Sequence, residues 1–79
     1  MVKVSSLVKD LVANNYYKNC RLIVIDEKNN LVCSEMLNEI LFKTYKLLKN
    51  YELISWRNDT IYICVVMAKR IVENVEFSA

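Results

Sequence analysis

Between Tyr51 and Met67 two apolar runs flank the dipeptide Asn58-Asp59, and the alternation on either side is that of a β-hairpin. Asn and Asp both tolerate positive φ, so a two-residue turn is predicted at that point. Such a turn pairs Arg57 with Thr60, Trp56 with Ile61, Ser55 with Tyr62, Ile54 with Ile63 and Leu53 with Cys64. Strand side chains alternate between faces, so Trp56, Ile54, Ile61, Ile63 and Val65 are expected to form the buried face. Leu53, Ser55, Arg57, Thr60, Tyr62, Cys64 and Val66 then point outward. A slip of one residue exchanges the two sets, so register decides which residues are core and which are surface. Leu53, Cys64 and Val66 are too apolar for open exposure on that outer face, and a C-terminal tail, a second subunit or a foreign partner is expected to cover them.

The chain contains neither Gly nor Pro. Phosphate-cradling loops and dinucleotide fingerprints need Gly for close backbone approach, so those classes are excluded. Turn duty passes to Asn, and Asn14-Asn15, Asn29-Asn30, Asn50 and Asn58 each stand where an apolar run ends. Upstream of the hairpin, Ser5 or Ser6 caps a predicted helix through about Asn14, with Leu7, Val8, Leu11 and Val12 as its apolar stripe. Tyr16-Tyr17-Lys18-Asn19 leads into a strand from Cys20 to Asp26, and Leu22-Ile23-Val24-Ile25 is apolar on both faces, which predicts an interior position. Leu31 to Glu35 returns as its hairpin partner. A turn at Lys28-Asn29 sets Ile25 opposite Val32 and Val24 opposite Cys33, whereas a turn at Asn29-Asn30 pairs the strands differently; the first is preferred. A second helix opens at Ser34 or Glu35 and ends at Asn50, lined by Leu37, Ile40, Leu41, Thr44, Tyr45 and Leu48, with Glu39 and Lys43 spaced for an i, i+4 pair. Lys43, Lys46 and Lys49 favour the helix dipole, or offer a docking surface for an acidic partner.

With 79 residues and 54% hydrophobic side chains, the sequence supports one small domain, and a core of this size makes oligomerisation or a bound partner a reasonable expectation. The longest apolar run, Ile61 to Ala68, falls far short of the roughly 18 residues that span a bilayer, so no membrane partner and a cytoplasmic location are expected. The three cysteines, Cys20, Cys33 and Cys64, are widely separated, and there is no His. Free buried thiols fit this spacing better than a zinc site, and an odd count favours a reducing compartment. Without His, paired carboxylates or a thiol beside a base, neither enzymatic activity nor a cofactor is expected. A formal net charge of +2 does not by itself imply nucleic acid, although Arg57 and Tyr62 on an open sheet, followed by Lys69-Arg70, would suit stacked bases and phosphates.

The opening Val4-Ser5-Ser6-Leu7-Val8-Lys9-Asp10-Leu11, the strand Arg21 to Asp26 and the polar turn leading into Thr60 to Val65 resemble those of small uncharacterised proteins carried by phages and prophages of low-GC Gram-positive bacteria. The resemblance covers about residues 3 to 66, and the tail after Met67 departs from it. It implies an accessory protein that binds and blocks a host or defence protein, acting in the host cytoplasm, and it hands over no site residues.

The expected fold is α+β, α-β-β-α-β-β with a possible terminal helix, in which a mainly antiparallel four-stranded sheet is packed by helices on one face. Residues 1–67 form the domain and residues 68–79 a tail, a short helix or an oligomerisation arm. The expected function is non-enzymatic protein binding, with a second copy of the chain among the candidate partners and nucleic-acid binding as the alternative. Leu53, Arg57, Tyr62, Cys64, Val66, Lys43 and Lys46 are the candidate contact residues.

Overall fold

A computed structural model describes residues 1–72. Its elements are α1 (Val4–Ala13), a 3-10 turn (Asn15–Tyr17), β1 (Arg21–Ile25), β2 (Leu31–Met36), a second 3-10 turn (Leu37–Glu39), α2 (Phe42–Leu48), β3 (Tyr51–Thr60) and β4 (Ile63–Arg70). The α+β class and the order helix, hairpin, helix, hairpin agree with the sequence pattern. All four strands join one sheet in the order β2-β1-β4-β3, antiparallel within each hairpin and parallel between β1 and β4. The run Leu22-Ile23-Val24-Ile25 accordingly lies in the interior of the sheet. Residues 68–70, assigned above to the tail, are the end of β4. The expected terminal helix falls largely on residues 73–79, outside the described residues.

The first hairpin turns on Asp26, whose Oδ1 accepts the N–H groups of Lys28 and Asn30, each at 2.9 Å. Asn29 takes a left-handed φ of 66°, a conformation that Asn tolerates better than most residues. Val24 faces Cys33 as predicted. The ladder slips between Val24 and Ile25, however, so Ile25 faces Leu31 rather than Val32.

Helix α1 begins at Val4, and the residue before it, Lys3, gives no side-chain cap, so neither Ser5 nor Ser6 serves as one. Its inward stripe is Val4, Val8 and Leu11 with Ser5, one helical step round from the predicted stripe; Leu7 is half-buried and Val12 exposed. These residues meet Leu22 and Val24 of β1, Cys64, Val66 and Ala68 of β4, and Leu37, Leu48 and Tyr51 in a single core. Both helices contribute to this core, and the sheet is therefore covered on one side.

Two elements differ from the sequence pattern. The second helix does not start at Ser34 or Glu35: β2 continues to Met36, a 3-10 turn follows, and Ile40 returns to extended backbone with ψ 134° before α2 begins. Seven residues of helix remain, and Glu39 lies outside it, which removes the predicted Glu39–Lys43 helical pair. The hairpin from Tyr51 also differs. Strand β3 runs on to Thr60 and the turn is Ile61-Tyr62, with Asn58 opposite Cys64 and Trp56 opposite Val66. In β4 the buried set is exchanged, since Cys64, Val66 and Ala68 are core and Ile63, Val65 and Met67 face away; in β3 Trp56 stays in the row of Val66 at the exposed sheet margin, and Ser55 and Arg57 keep the outward side.

The physical reason lies in β1. The N–H of Arg21 donates to the carbonyl of Tyr62 at 2.7 Å and the Cys20 thiol donates to the carbonyl of Ile61 at 3.1 Å, so the hairpin tip is tied to the start of the neighbouring strand. Asn58 then serves the ladder instead of the turn: its carboxamide donates to the carbonyls of Thr60 and of Ile63, the latter at 3.0 Å. Irregularities at Ile54 and Asp59 absorb the shift of register. The smaller residues Cys64, Val66 and Ala68 thereby pack towards the helices, and the bulkier Ile63 and Met67 turn away. Truncation separates the two faces in the expected direction. Leu22→Ala should cost about 3 kcal/mol of unfolding free energy in urea, whereas Ile23→Ala, on the opposite face of the same strand, should cost about 1 kcal/mol.

Candidate functional site

Alternation along the paired strands defines the side of the sheet that the helices do not cover. Across the two central strands, Arg21 lies beside Ile63, Ile23 beside Val65 and Ile25 beside Met67. On the flanks Met36 and Ser34 of β2 continue the rows of Arg21 and Ile23, and Arg57 and Ser55 of β3 continue those of Val65 and Met67. Ile23, Ile25, Ile63, Val65 and Met67 are all partly exposed, and Leu31 at the margin is 63% exposed. Among the described residues no helix lies on this apolar block. Its size and continuity distinguish it from the scattered exposed side chains that any small protein carries.

Charges frame the block unevenly. Arg21 and Arg57 stand at the end near the hairpin tip; Arg21 donates through Nη1 to Ser34 Oγ at 3.2 Å, and Arg57 pairs with Asp59 at 3.2 Å. Glu52 and Lys69 face each other at the opposite end, where Glu27 accepts the N–H of Arg70 at 3.2 Å. The edges differ as well. Val2 and Lys3 pair with the start of β3, the Val2 carbonyl accepting the N–H of Leu53 at 2.8 Å, which covers part of that edge.

The candidate contact residues are not brought together on one surface. Cys64 and Val66 are fully buried and Leu53 packs against the core, so the three residues expected to need a cover have one, namely the helix layer of their own chain. Arg57 lies on the uncovered face, and Tyr62 sits in the turn, 62% exposed, rather than opposite Ser55. Lys43 and Lys46 are exposed on α2, where the Lys46 ammonium lies 5.3 Å from the centre of the Phe42 ring. Trp56, expected in the core, makes an edge contact with Tyr17 at the sheet margin, the ring centres 5.8 Å apart. None of the five apolar residues of the uncovered face is among the candidate contact residues, and Ile63 and Val65, expected in the core, lie on this face instead. One signal pointed to them: β1 is apolar on both faces, and a strand of that kind calls for cover on both sides.

The buried polar groups serve the fold. Glu35 of β2 reaches α2, where its carboxylate accepts the N–H of Leu41 at 3.1 Å and the hydroxyl of Thr44. It ties the residue before α2 and a side chain of the first helical turn to β2, without accepting the first-turn N–H groups that a cap on Leu41 would take. Glu35→Ala should therefore lower stability by about 1–2 kcal/mol, read as a shift of the urea midpoint without a change in slope.

Cys64 and Cys33 are held protonated. Burial, followed by the adjacent Cys20 thiol, pushes Cys64 up to about 11, with the Asn58 carboxamide acting in the opposite direction. Burial and the Glu35 charge push Cys33 up to about 11. Burial also raises the Tyr45 hydroxyl. Among the described residues no group of three or more His, Cys, Asp or Glu side chains converges as a metal site would require. An acid whose folded pKa is raised contributes stability that is complete below its unfolded pKa and is lost as pH rises through the folded one. Unfolding free energy should thus fall between pH 9.0 and about 11, and Cys64→Ala should flatten part of that slope in urea titrations across the interval.

No family model, curated protein or solved structure matches this chain. No helix among the described residues is long and apolar enough to cross a membrane.

Proposed function

We propose that the chain is a non-enzymatic protein-binding module whose contact surface is the uncovered face of the sheet. The supporting observation is the two-sided apolar character of the central strands: Leu22, Val24, Cys64 and Val66 lie under the helices, while Ile23, Ile25, Ile63, Val65 and Met67 form an equally apolar layer that no described helix covers. Covering such a layer releases roughly 25 cal/mol for each Å² of apolar surface removed from water, and a rim of Arg21, Ser34, Ser55 and Arg57 can supply polar contacts around it. In the setting that the phage-like resemblance implies, the module acts in the host cytoplasm as an accessory protein and blocks the protein it binds. Nucleic acid is a weaker fit, because Arg57 is engaged by Asp59 and Lys69 stands opposite Glu52, so the face lacks a continuous basic stripe.

The test compares the full chain with Val65→Lys, placed at the centre of the face, and with Lys43→Glu on α2. Immobilised wild-type protein and Lys43→Glu should retain the same protein partner, and Val65→Lys should lose at least about tenfold of that binding while melting within a few degrees of wild type. Equal retention by Val65→Lys would overturn the assignment.

A further inference from the structure

We infer that the face takes a second copy of this chain, stacked sheet to sheet with the strands of the two copies antiparallel. The inference rests on the reading of this face as a contact surface and supplies the partner.

Charge is arranged unevenly around the apolar block. Arg21 begins β1 and Glu27 follows its end, with Ile23 and Ile25 between them on the uncovered face. Strand β3 runs against the direction of β1 yet has the same polarity in space: Arg57 lies at the level of Val65 and Ile23, and Glu52 opposite Lys69, beyond the level of Met67 and Ile25. One end of the face thus carries Arg21 and Arg57, the latter paired with Asp59, and the other Glu27 and Glu52 around Lys69, so the two ends keep opposite net sign. Two identical sheets can stack face to face about a two-fold axis lying between them, either along the strands or across them. An axis along the strands sets the arginine ends on each other. An axis across the strands lays β1 on β1 in reverse, bringing Arg21 over the second copy's Glu27 and carrying Arg57 towards its Glu52. That arrangement also places the Ile23-Ile25 pair on its own counterpart, so apolar meets apolar at the centre.

The expected strength is modest. A four-stranded face eight residues long along β4 spans about 19 by 26 Å, or about 500 Å² in projection, below the roughly 800 Å² per partner of a standard interface. A dissociation constant in the micromolar range is therefore expected.

Sedimentation equilibrium of the full chain from about 5 to about 500 µM tests this directly. A monomer–dimer equilibrium is expected. Ile23→Lys should raise the dissociation constant at least about a hundredfold, and Arg21→Glu and Glu27→Arg should each raise it about tenfold. The double exchange, Arg21→Glu with Glu27→Arg, should return it to within about threefold of wild type, because only antiparallel stacking brings these two positions together. The wild-type concentration series needs no variant, and far-UV circular dichroism identifies any variant that fails to fold. Monomeric wild type at the highest concentration overturns the inference, as does a dimer indifferent to Ile23→Lys or a double exchange no tighter than the single ones. A monomer that still captures a foreign protein, lost on Val65→Lys, overturns self-association and leaves the protein-binding reading standing.

Discussion

The parallel pairing of β1 with β4 is the contact on which the rest of the arrangement depends. Both strands are interior, so neither can shift without moving a hairpin partner as well. Once Leu22 lies beside Cys64 and Val24 beside Val66, the parity of every row in the sheet follows, and with it the choice of residues that meet α1. The pairing starts at the hairpin tip, where the backbone of Arg21 and the thiol of Cys20 engage the carbonyls of Tyr62 and Ile61. Local turn preference at Asn58-Asp59 is worth about a kcal/mol, and it cannot compete with five aligned residue pairs between buried strands.

Much of the fold was legible because it depends on local pattern. The apolar run from Leu22 to Ile25, the turn residues between the first two strands and the alternation after Tyr51 all specify elements from near neighbours in sequence. What escaped was set by contacts between distant segments. The parity of β4 is decided by a strand far upstream, and the shortness of α2 by Glu35, which stays in β2 and reaches the helix through its carboxylate. Helical periodicity from Leu37 to Leu48 is genuine, since Leu37, Thr44 and Leu48 are all buried. A 3-10 turn and an extended residue at Ile40 nevertheless satisfy that pattern without a continuous helix. The candidate surface inherited the parity error, so Cys64 and Val66 were assigned to solvent and Ile63 and Val65 to the core. Arg57 kept an exposed place on the uncovered face, where it lies in the row of Ile23 and Val65.

The two faces of the sheet put similar residue types to different uses. Under the helices, small side chains allow α1 to approach closely, and the buried polar groups are absorbed: Cys20 and Asn58 by backbone carbonyls, Thr44 by Glu35. On the other face, longer aliphatic side chains stand between arginines and serines and are satisfied only in part by their neighbours. A chain without Gly builds this contrast with Asn29 as its one described residue of positive φ, so nearly all of its shape comes from strand pairing and packing rather than from special backbone conformations.

The bond between the Cys20 thiol and the Ile61 carbonyl joins residues 41 positions apart. During synthesis, α1, β1 and β2 are all made before any of β4 exists, so the apolar row of Leu22 and Val24 has no partner strand for that interval. Loop closure over such a distance must precede the contacts that reward it, which slows folding relative to a helical bundle of the same length. The first half of the protein is therefore made without the strand that closes the β1 edge, and that strand is the last to be made.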